Sequence, residues 1–549
     1  MKKKNITLCA INSKYIHSCP AVYYLEAGLK AVDPETEIRI TEASVNDTTE
    51  HILYSIFESN PQIVGFSVYI WNVTMVAKLC KSIKAIKPDV KIILGGPEVS
   101  YGIGHTDINE NDFDLIISGE GEKAFPEAVK IIADGIEIKN KTISTPFIEN
   151  LDDIPFIYNE NNIGNFKNRI IYYESSRGCP FGCAYCLSSV CGKVRFLSLE
   201  RVFSDLDFFI AQNVQQVKFV DRTFNCNPKR ATEIWKYIIK HADRSRTNFH
   251  FEIGADLLTE EQLELLRSAP SGKIQLEIGI QSTCEDALRE SCRYAPNEKI
   301  FSNVSALHQS GNINLHTDLI AGLPYESYER FQQSFNEVYQ LKAHQLQLGF
   351  LKLLSGAPLN NLKKKHGYVF TAYPPYEILL NKYISYADIQ LLKEVEDALE
   401  KIYNSNRFVL FLNELEKHFP SPFDMFRKIA DYLKEKGLLF CGVSTKKLYD
   451  VLGDFSKENG TDLSETLLLD FYLSENSEIP PDSLKHLVGP SKFTRPASSK
   501  ILHEMNLAKE KKIFVKFIGS KAFVINYANR NPVNGRYDLI CEKEVVFDE

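Results

Sequence analysis

Short apolar runs alternate with stretches of helical period over the first 145 residues. Runs at 6–11, 37–41, 63–68, 91–94 and 115–118 predict strands, and helices fill the gaps, for example from Ala21 and from Asn72. The third and fourth runs are nearly continuous, as in a parallel sheet covered on both faces. Asp47 followed by Glu50 predicts a capping box opening the second helix. The pattern predicts a five-stranded, doubly wound, Rossmann-like sheet over 1–145, with ligands at the carboxyl ends of its strands.

Residues 146–168 are rich in Asn and Pro, lack periodicity and read as a linker. Alternation resumes with runs at 170–174, 216–220, 248–253, 274–279, 314–320 and 345–351. Six βα units are too few for a closed eight-stranded barrel, so 169–360 predicts a partial (β/α)6 barrel with chemistry where strands end and loops begin. Residues 361–549 predict a mainly helical domain, with Glu, Lys and Leu at helical spacing in 389–403. A short β tail over 511–548 turns around Asn534–Gly535. The fold class is α/β.

Composition changes this picture little. A chain of 549 residues suggests three or four domains. The hydrophobic share of 44% and charged share of 25% are ordinary for globular domains. A net charge of −7 excludes a large basic surplus, so no nucleic-acid partner is expected. The opening MKKKNITLCAIN reads as a first strand rather than a signal peptide, because its apolar run is short and carries Asn12 and Lys14. No stretch is apolar enough to span a bilayer, and a cytoplasmic location is expected. The twelve cysteines are scattered apart from one tight cluster, which favours metal binding over disulfides.

That cluster reads Ser175-Ser-Arg-Gly-Cys179-Pro-Phe-Gly-Cys183-Ala-Tyr-Cys186, in the first βα loop of the predicted barrel. Thiolates suit iron–sulfur clusters, and three of them satisfy three irons of a cubane while leaving the fourth open. A zinc knuckle completed by Cys191 is the competing reading. The C-x3-C-x2-C spacing, with an aromatic residue before the last cysteine, resembles the radical S-adenosylmethionine superfamily. The resemblance implies a [4Fe–4S] cluster on Cys179, Cys183 and Cys186, reductive cleavage of S-adenosylmethionine, and Tyr185 beside the adenine. It also implies an electron donor such as flavodoxin or ferredoxin. Later strand ends fit the same family: Asp221-Arg-Thr-Phe-Asn225, Glu252, Gly279-Ile-Gln281-Ser282 and Asp318-Leu-Ile-Ala-Gly-Leu-Pro324. By the resemblance, Asp221, Glu252, Gln281 and Ser282 contact S-adenosylmethionine.

The N-terminal strands end in Gly65-Phe-Ser67, Gly95-Gly96-Pro97-Glu98 and Ser118-Gly119-Glu120-Gly121-Glu122. Paired glycines at such ends let backbone approach a bulky ligand. No G-x-G-x-x-G follows the first strand, which disfavours a dinucleotide. The pattern resembles cobalamin-binding domains, and implies cobalamin held by Ser67, Gly95, Gly96, Gly119, Glu120, Gly121 and Glu122. The D-x-H-x-x-G motif of many such domains is absent. His17 stands in the corresponding loop without the Asp or Gly, so cobalamin is expected without a histidine ligand. Cys9, Cys19 and Cys80 could hold a second cluster, as in methylthiotransferases, but lack the flanking sequence of those enzymes and read as core residues. The C-terminal region resembles a domain of uncharacterised function attached to some cobalamin-type radical proteins.

The reading that follows is a cobalamin-dependent radical enzyme acting on a small or lipid-like substrate, with methyl transfer to an unactivated carbon foremost. The alternatives are a rearrangement or cyclisation with cobalamin in another role, a methylthiotransferase-like enzyme, and a redox-sensing cluster protein.

Overall fold

A computed structural model describes residues 5–136, 141–488 and 491–545. The N-terminal sheet contains β1 (Asn5–Asn12), β2 (Glu37–Ser44), β3 (Ile63–Ser67), β4 (Lys91–Gly95), β5 (Leu115–Ser118) and β6 (Thr142–Ser144). Their order is β2-β1-β3-β4-β5-β6, all parallel. Helices α1 (Pro20–Val32), α2 (Thr49–Phe57) and α3 (Val73–Ile86) connect β1 to β4 in turn, and α4 (Gly121–Asp134) lies between β5 and β6. β3 is buried at every position, as its unbroken apolar run requires. The sixth strand was not expected, because Thr142-Ile-Ser144 is a short, polar edge segment with little pattern to read. The cap of α2 also falls one residue later than expected. Thr48 accepts from the His51 amide, while Asp47 turns back to the Ser44 amide at 2.7 Å.

The central region supplies β7 (Ile171–Tyr173), a two-residue ribbon of β8 (Ser176–Arg177) and β9 (Arg195–Phe196), then β10 (Gln216–Phe219), β11 (Asn248–Ile253), β12 (Ile274–Gln281), β13 (Asn314–Ala321) and β14 (Gln345–Phe350). Its main sheet has six strands in the order β14-β13-β12-β11-β10-β7. Helices α5 (Leu199–Ala211), α6 (Pro228–Lys240), α7 (Glu260–Arg267), α8 (Glu285–Glu290), α9 (Asn297–Ser310) and α10 (Tyr328–Tyr339) lie between them. Side chains capping α5, α6, α7 and α10 are Ser198, Asn227, Thr259 and Ser327. Along β12 and β13 buried and half-buried positions alternate strictly. One face carries Leu276, Ile278, Leu315 and Leu319; the other carries Glu277, Gln281, His316 and Asp318.

Two compact units divide the chain. One takes Met1–Ser268, Leu288–Tyr294 and Phe350–Lys382; the other takes Ala269–Ala287, Ala295–Gly349 and Tyr383–Glu549. In the first, a core around Phe66, Leu79, Ile92 and Leu94 sits under the N-terminal sheet. In the second, helices such as Tyr386–Ile402 and Pro422–Glu435 precede an antiparallel sheet of Ile513–Ile518, Lys521–Asn526 and Asp538–Glu544. The expected turn at Asn534–Gly535 lies in the connection before the last of these strands, where Gly535 takes a φ of +73°. Arg536, the residue after that turn, donates to the fully buried Asp470 at 2.6 Å and ties the tail to the helices. Among the described residues no helix is long and apolar enough to cross a membrane.

Candidate functional site

Strand β7 feeds the chain into the cysteine loop, and the β8–β9 ribbon closes the loop's base. Gly178 takes a φ of +98°, and a Cβ there would stand 2.5 Å from the Lys193 carbonyl, so only glycine allows this turn. Cys179 and Cys183 are buried, Cys186 is half-buried, and none forms a disulfide. The Cys179 sulfur lies 3.6 Å from the Thr223 hydroxyl. Distant segments hold the loop: the Ala184 amide donates to the Ser291 carbonyl at 2.9 Å, and the Leu359 amide donates to the Ala184 carbonyl at 2.8 Å. Among the described residues, the one group of three His, Cys, Asp or Glu ligand atoms within 4.8 Å of one another is Glu277, His316 and Asp318. At least one pair of the three sulfurs therefore stands more than 4.8 Å apart, wider than the ligands of one tetrahedral zinc ion. The side chain of Cys191 lies outside the described residues.

Tyr185 carries its hydroxyl into a buried position without a hydrogen-bond partner. Burial raises its pKa well above that of a free phenol; the Arg293 charge opposes the shift and the Cys183 thiol adds to it. Arg293 comes from the turn after α8, and its Nη1 lies 4.0 Å from the Cys183 sulfur. No motif in the sequence pointed to it.

Beside the loop lies a cavity of about 710 Å³. Ser67, Gly95, Gly96, Gly119, Glu120, Gly121 and Glu122 line one side, with Tyr69 and Tyr101; Arg177, Gly178, Leu187, Ser188 and Val190 line the other. The glycines have different reasons. At Gly95 a Cβ would meet nothing closer than 3.7 Å, whereas at Gly96, with a φ of +112°, it would stand 2.5 Å from the Val68 carbonyl. At Gly121, where α4 packs on α1, a Cβ would come within 2.7 Å of the end of the Leu25 side chain, which would have to shift. Glu120 and Glu122 contribute backbone to the cavity but give their carboxylates to arginines. Arg195 forks onto Glu120, and Arg177 pairs with Glu122 and with Glu174.

Asp221, expected to face S-adenosylmethionine, is instead spent inside the protein. It is buried and accepts from the Ser175 amide and from the hydroxyls of Ser175 and Ser176, so it anchors the start of the cysteine loop. Burial raises its pKa, against those hydrogen bonds. Ser282 is likewise internal: it is fully buried and donates to Glu326 at 2.6 Å. Glu252 is half-buried with Lys218 at 3.8 Å. Gln281 has a φ of +73° at a bulge, and its side chain folds back where Gly279 leaves room. His17 turns to Tyr172, with Nδ1 2.6 Å from the hydroxyl, and is not among the described residues that line the cavity. Cys9 and Cys80 are completely buried among apolar residues, where burial raises both thiols, Cys9 to about 12. They pack as small hydrophobic residues.

Residues 6–129 match the B12 binding domain, 173–338 the radical SAM superfamily, and 364–525 a protein of unknown function, DUF4080. The 2-(S-pantetheinyl)-carbapenam-3-carboxylate methyltransferase of Streptantibioticus cattleyicolor is 23% identical over 58% of this chain and 50% of its own length. The cobalamin-dependent radical SAM methyltransferase TokK of Streptomyces tokunonensis is 24% identical over 57% of this chain and 50% of its own. The chain thus spans about half the length of the curated relatives it matches. The solved structure of the cobalamin-dependent S-adenosylmethionine radical enzyme OxsB, with aqua-cobalamin and S-adenosylmethionine bound, shares the fold at a TM-score of 0.57 and 15% identity, over 84% of this chain and 76% of that one. Cobalamin, a [4Fe–4S] cluster and S-adenosylmethionine are the cofactors of these domains, and with them in this order the chain is a cobalamin-binding radical S-adenosylmethionine protein carrying a C-terminal DUF4080 domain.

Proposed function

We propose that this chain is a cobalamin-dependent radical S-adenosylmethionine methyltransferase acting on an unactivated carbon of a small-molecule substrate. The observation that carries the reading is the cavity, which is walled by the strand-end glycines of the N-terminal sheet and by the loop that carries the three cysteines. One hollow meets both cofactor-binding segments, as a transfer between them needs. The names of the two methyltransferase relatives support the same reaction class.

The residues present fit both groups. Cys179, Cys183 and Cys186 are free thiols on one loop, and Gly95 leaves a wall without a side chain. When bound, the cluster supplies one electron to S-adenosylmethionine and cobalamin supplies a methyl group. The chain's own part is to hold and orient. The three cysteines would hold three irons, Tyr185 would close over the adenosyl moiety, and Asp221 fixes the loop through Ser175 and Ser176. Glu120 and Glu122 keep Arg195 and Arg177 in place at the edge of the cavity. An external flavodoxin- or ferredoxin-type donor would deliver the electron.

The test uses the full chain, reconstituted anaerobically with iron, sulfide and cobalamin and supplied with a low-potential reductant. S-adenosylmethionine bearing a deuterated methyl group is added with fractions of a small-molecule extract. Equal yields of S-adenosylhomocysteine and deoxyadenosine above the extract-free background, with the label on a product carbon, are expected. Deoxyadenosine rising alone during full turnover would move the enzyme to the rearrangement class.

A further inference from the structure

Cys183 has a cationic neighbour outside the cysteine motif. Its sulfur, in a side chain 7% exposed, lies 4.0 Å from Nη1 of Arg293. The turn that carries Arg293 is fixed to the loop by the Ser291 carbonyl, which accepts from the amide of Ala184, the residue after Cys183. The backbone that carries Arg293 is therefore tied to the loop that carries the cysteine. Arg is the cation suited to such a position, because it stays protonated when partly desolvated.

A positive charge this close acts on electron transfer. Reduction adds one negative charge to a cluster, and that charge is stabilised by Coulomb attraction to a guanidinium in a low-dielectric setting. An N–H directed at a ligand sulfur acts in the same sense, since hydrogen bonds to sulfur raise cluster potentials. We propose that Arg293 is a positioning residue that raises the reduction potential of the [4Fe–4S] cluster through the Cys183 thiolate. This rests on the reading of Cys183 as a cluster ligand.

The test is a redox titration, followed by electron paramagnetic resonance, of the cluster-loaded full chain without S-adenosylmethionine or substrate. Arg293→Met keeps the bulk and removes the charge. At a fixed poise its reduced-to-oxidised ratio should fall about tenfold, a midpoint lower by about 59 mV for a one-electron couple. Arg293→Lys, which keeps a charge, should stay within about threefold of the parent. A Met variant with four irons and an unshifted midpoint overturns the proposal, whether or not it binds S-adenosylmethionine less tightly. Weaker binding with an unshifted midpoint would make Arg293 a carboxylate holder instead. Should the Met variant fail to load, the Lys variant decides: a tenfold fall overturns the proposal and a retained midpoint supports it. Iron content of Cys183→Ala separates the two layers, because a full cluster there would remove Cys183 as a ligand whatever the titration shows.

Discussion

Arg195 meets Glu120 as a two-pronged pair, with Nη2 2.6 Å from Oε1 and Nη1 3.1 Å from Oε2. Arg195 stands on β9 behind the cysteine loop and Glu120 at the start of α4, so the pair joins the two walls of the cavity. Arg195 is buried and Glu120 half-buried, and Arg195 also donates to the Ile148 carbonyl. Parallel N–H···O bonds of this kind fix orientation as well as adding energy.

Removing one member should therefore cost more than a surface pair does. Arg195→Met leaves a half-buried carboxylate short of its main partner and should lower stability by about 2 kcal/mol, read as a lower urea midpoint. Glu120 also sets a direction with pH. Burial alone would raise its pKa, but Arg195, the Ile148 amide and Arg177 outweigh burial and hold it below the ordinary value. Its contribution is thus complete above about pH 4.3 and fades as the pH falls through the lower folded value. Acid titration should show the parent losing this stability below about pH 4.3 and Glu120→Gln lacking that component.

Each of Cys179→Ala, Cys183→Ala and Cys186→Ala should lose iron and abolish deoxyadenosine formation. Cys191→Ala should keep both nearly intact. Iron and acid-labile sulfide analysis checks this, and a full cluster in any of the three variants would sink the ligand assignment.

The two adjacent glycines should separate in a binding experiment. Gly95→Leu places a side chain where a Cβ is tolerated, so the variant should fold, load iron and lose cobalamin. Gly96→Ala meets the Val68 backbone at a φ open only to glycine and should destabilise the chain by about 2 kcal/mol or more. A Gly95→Leu protein that still copurifies with cobalamin would show that the corrin lies elsewhere.

His17 is already engaged with Tyr172, and burial with the Lys14 and Lys218 charges lowers its pKa. Any axial-nitrogen triplets in the high-field resonance lines of cobalt(II) in the bound cofactor should accordingly persist unchanged in His17→Ala. Triplets that vanish in His17→Ala would contradict this.

Elements with strong local pattern were legible in the sequence. The five long strands of the first sheet and the six of the second lie where apolar runs place them, and the cysteine loop follows β7 as its spacing implied. What escaped depends on partners remote in the chain. Asp221 looks like a strand-end ligand until Ser175 and Ser176 fill its oxygens. Ser282 looks the same until Glu326 closes over it. Gly96 reads as room for a ligand, yet its own neighbour Val68 demands it. Arg293 has no motif, and only the docking of its turn onto Ala184 reveals it.

That docking of Ala184 also orders events in time. The amide and carbonyl of one residue in the cysteine loop wait for Ser291 and Leu359, which a ribosome makes much later. Closing such long loops costs entropy before any contact repays it. An emerging chain that ends before Leu359 has all three cysteines but lacks the bond that finishes their loop. A cluster held by these three cysteines would thus find its loop fully braced only once the chain beyond Leu359 has been made.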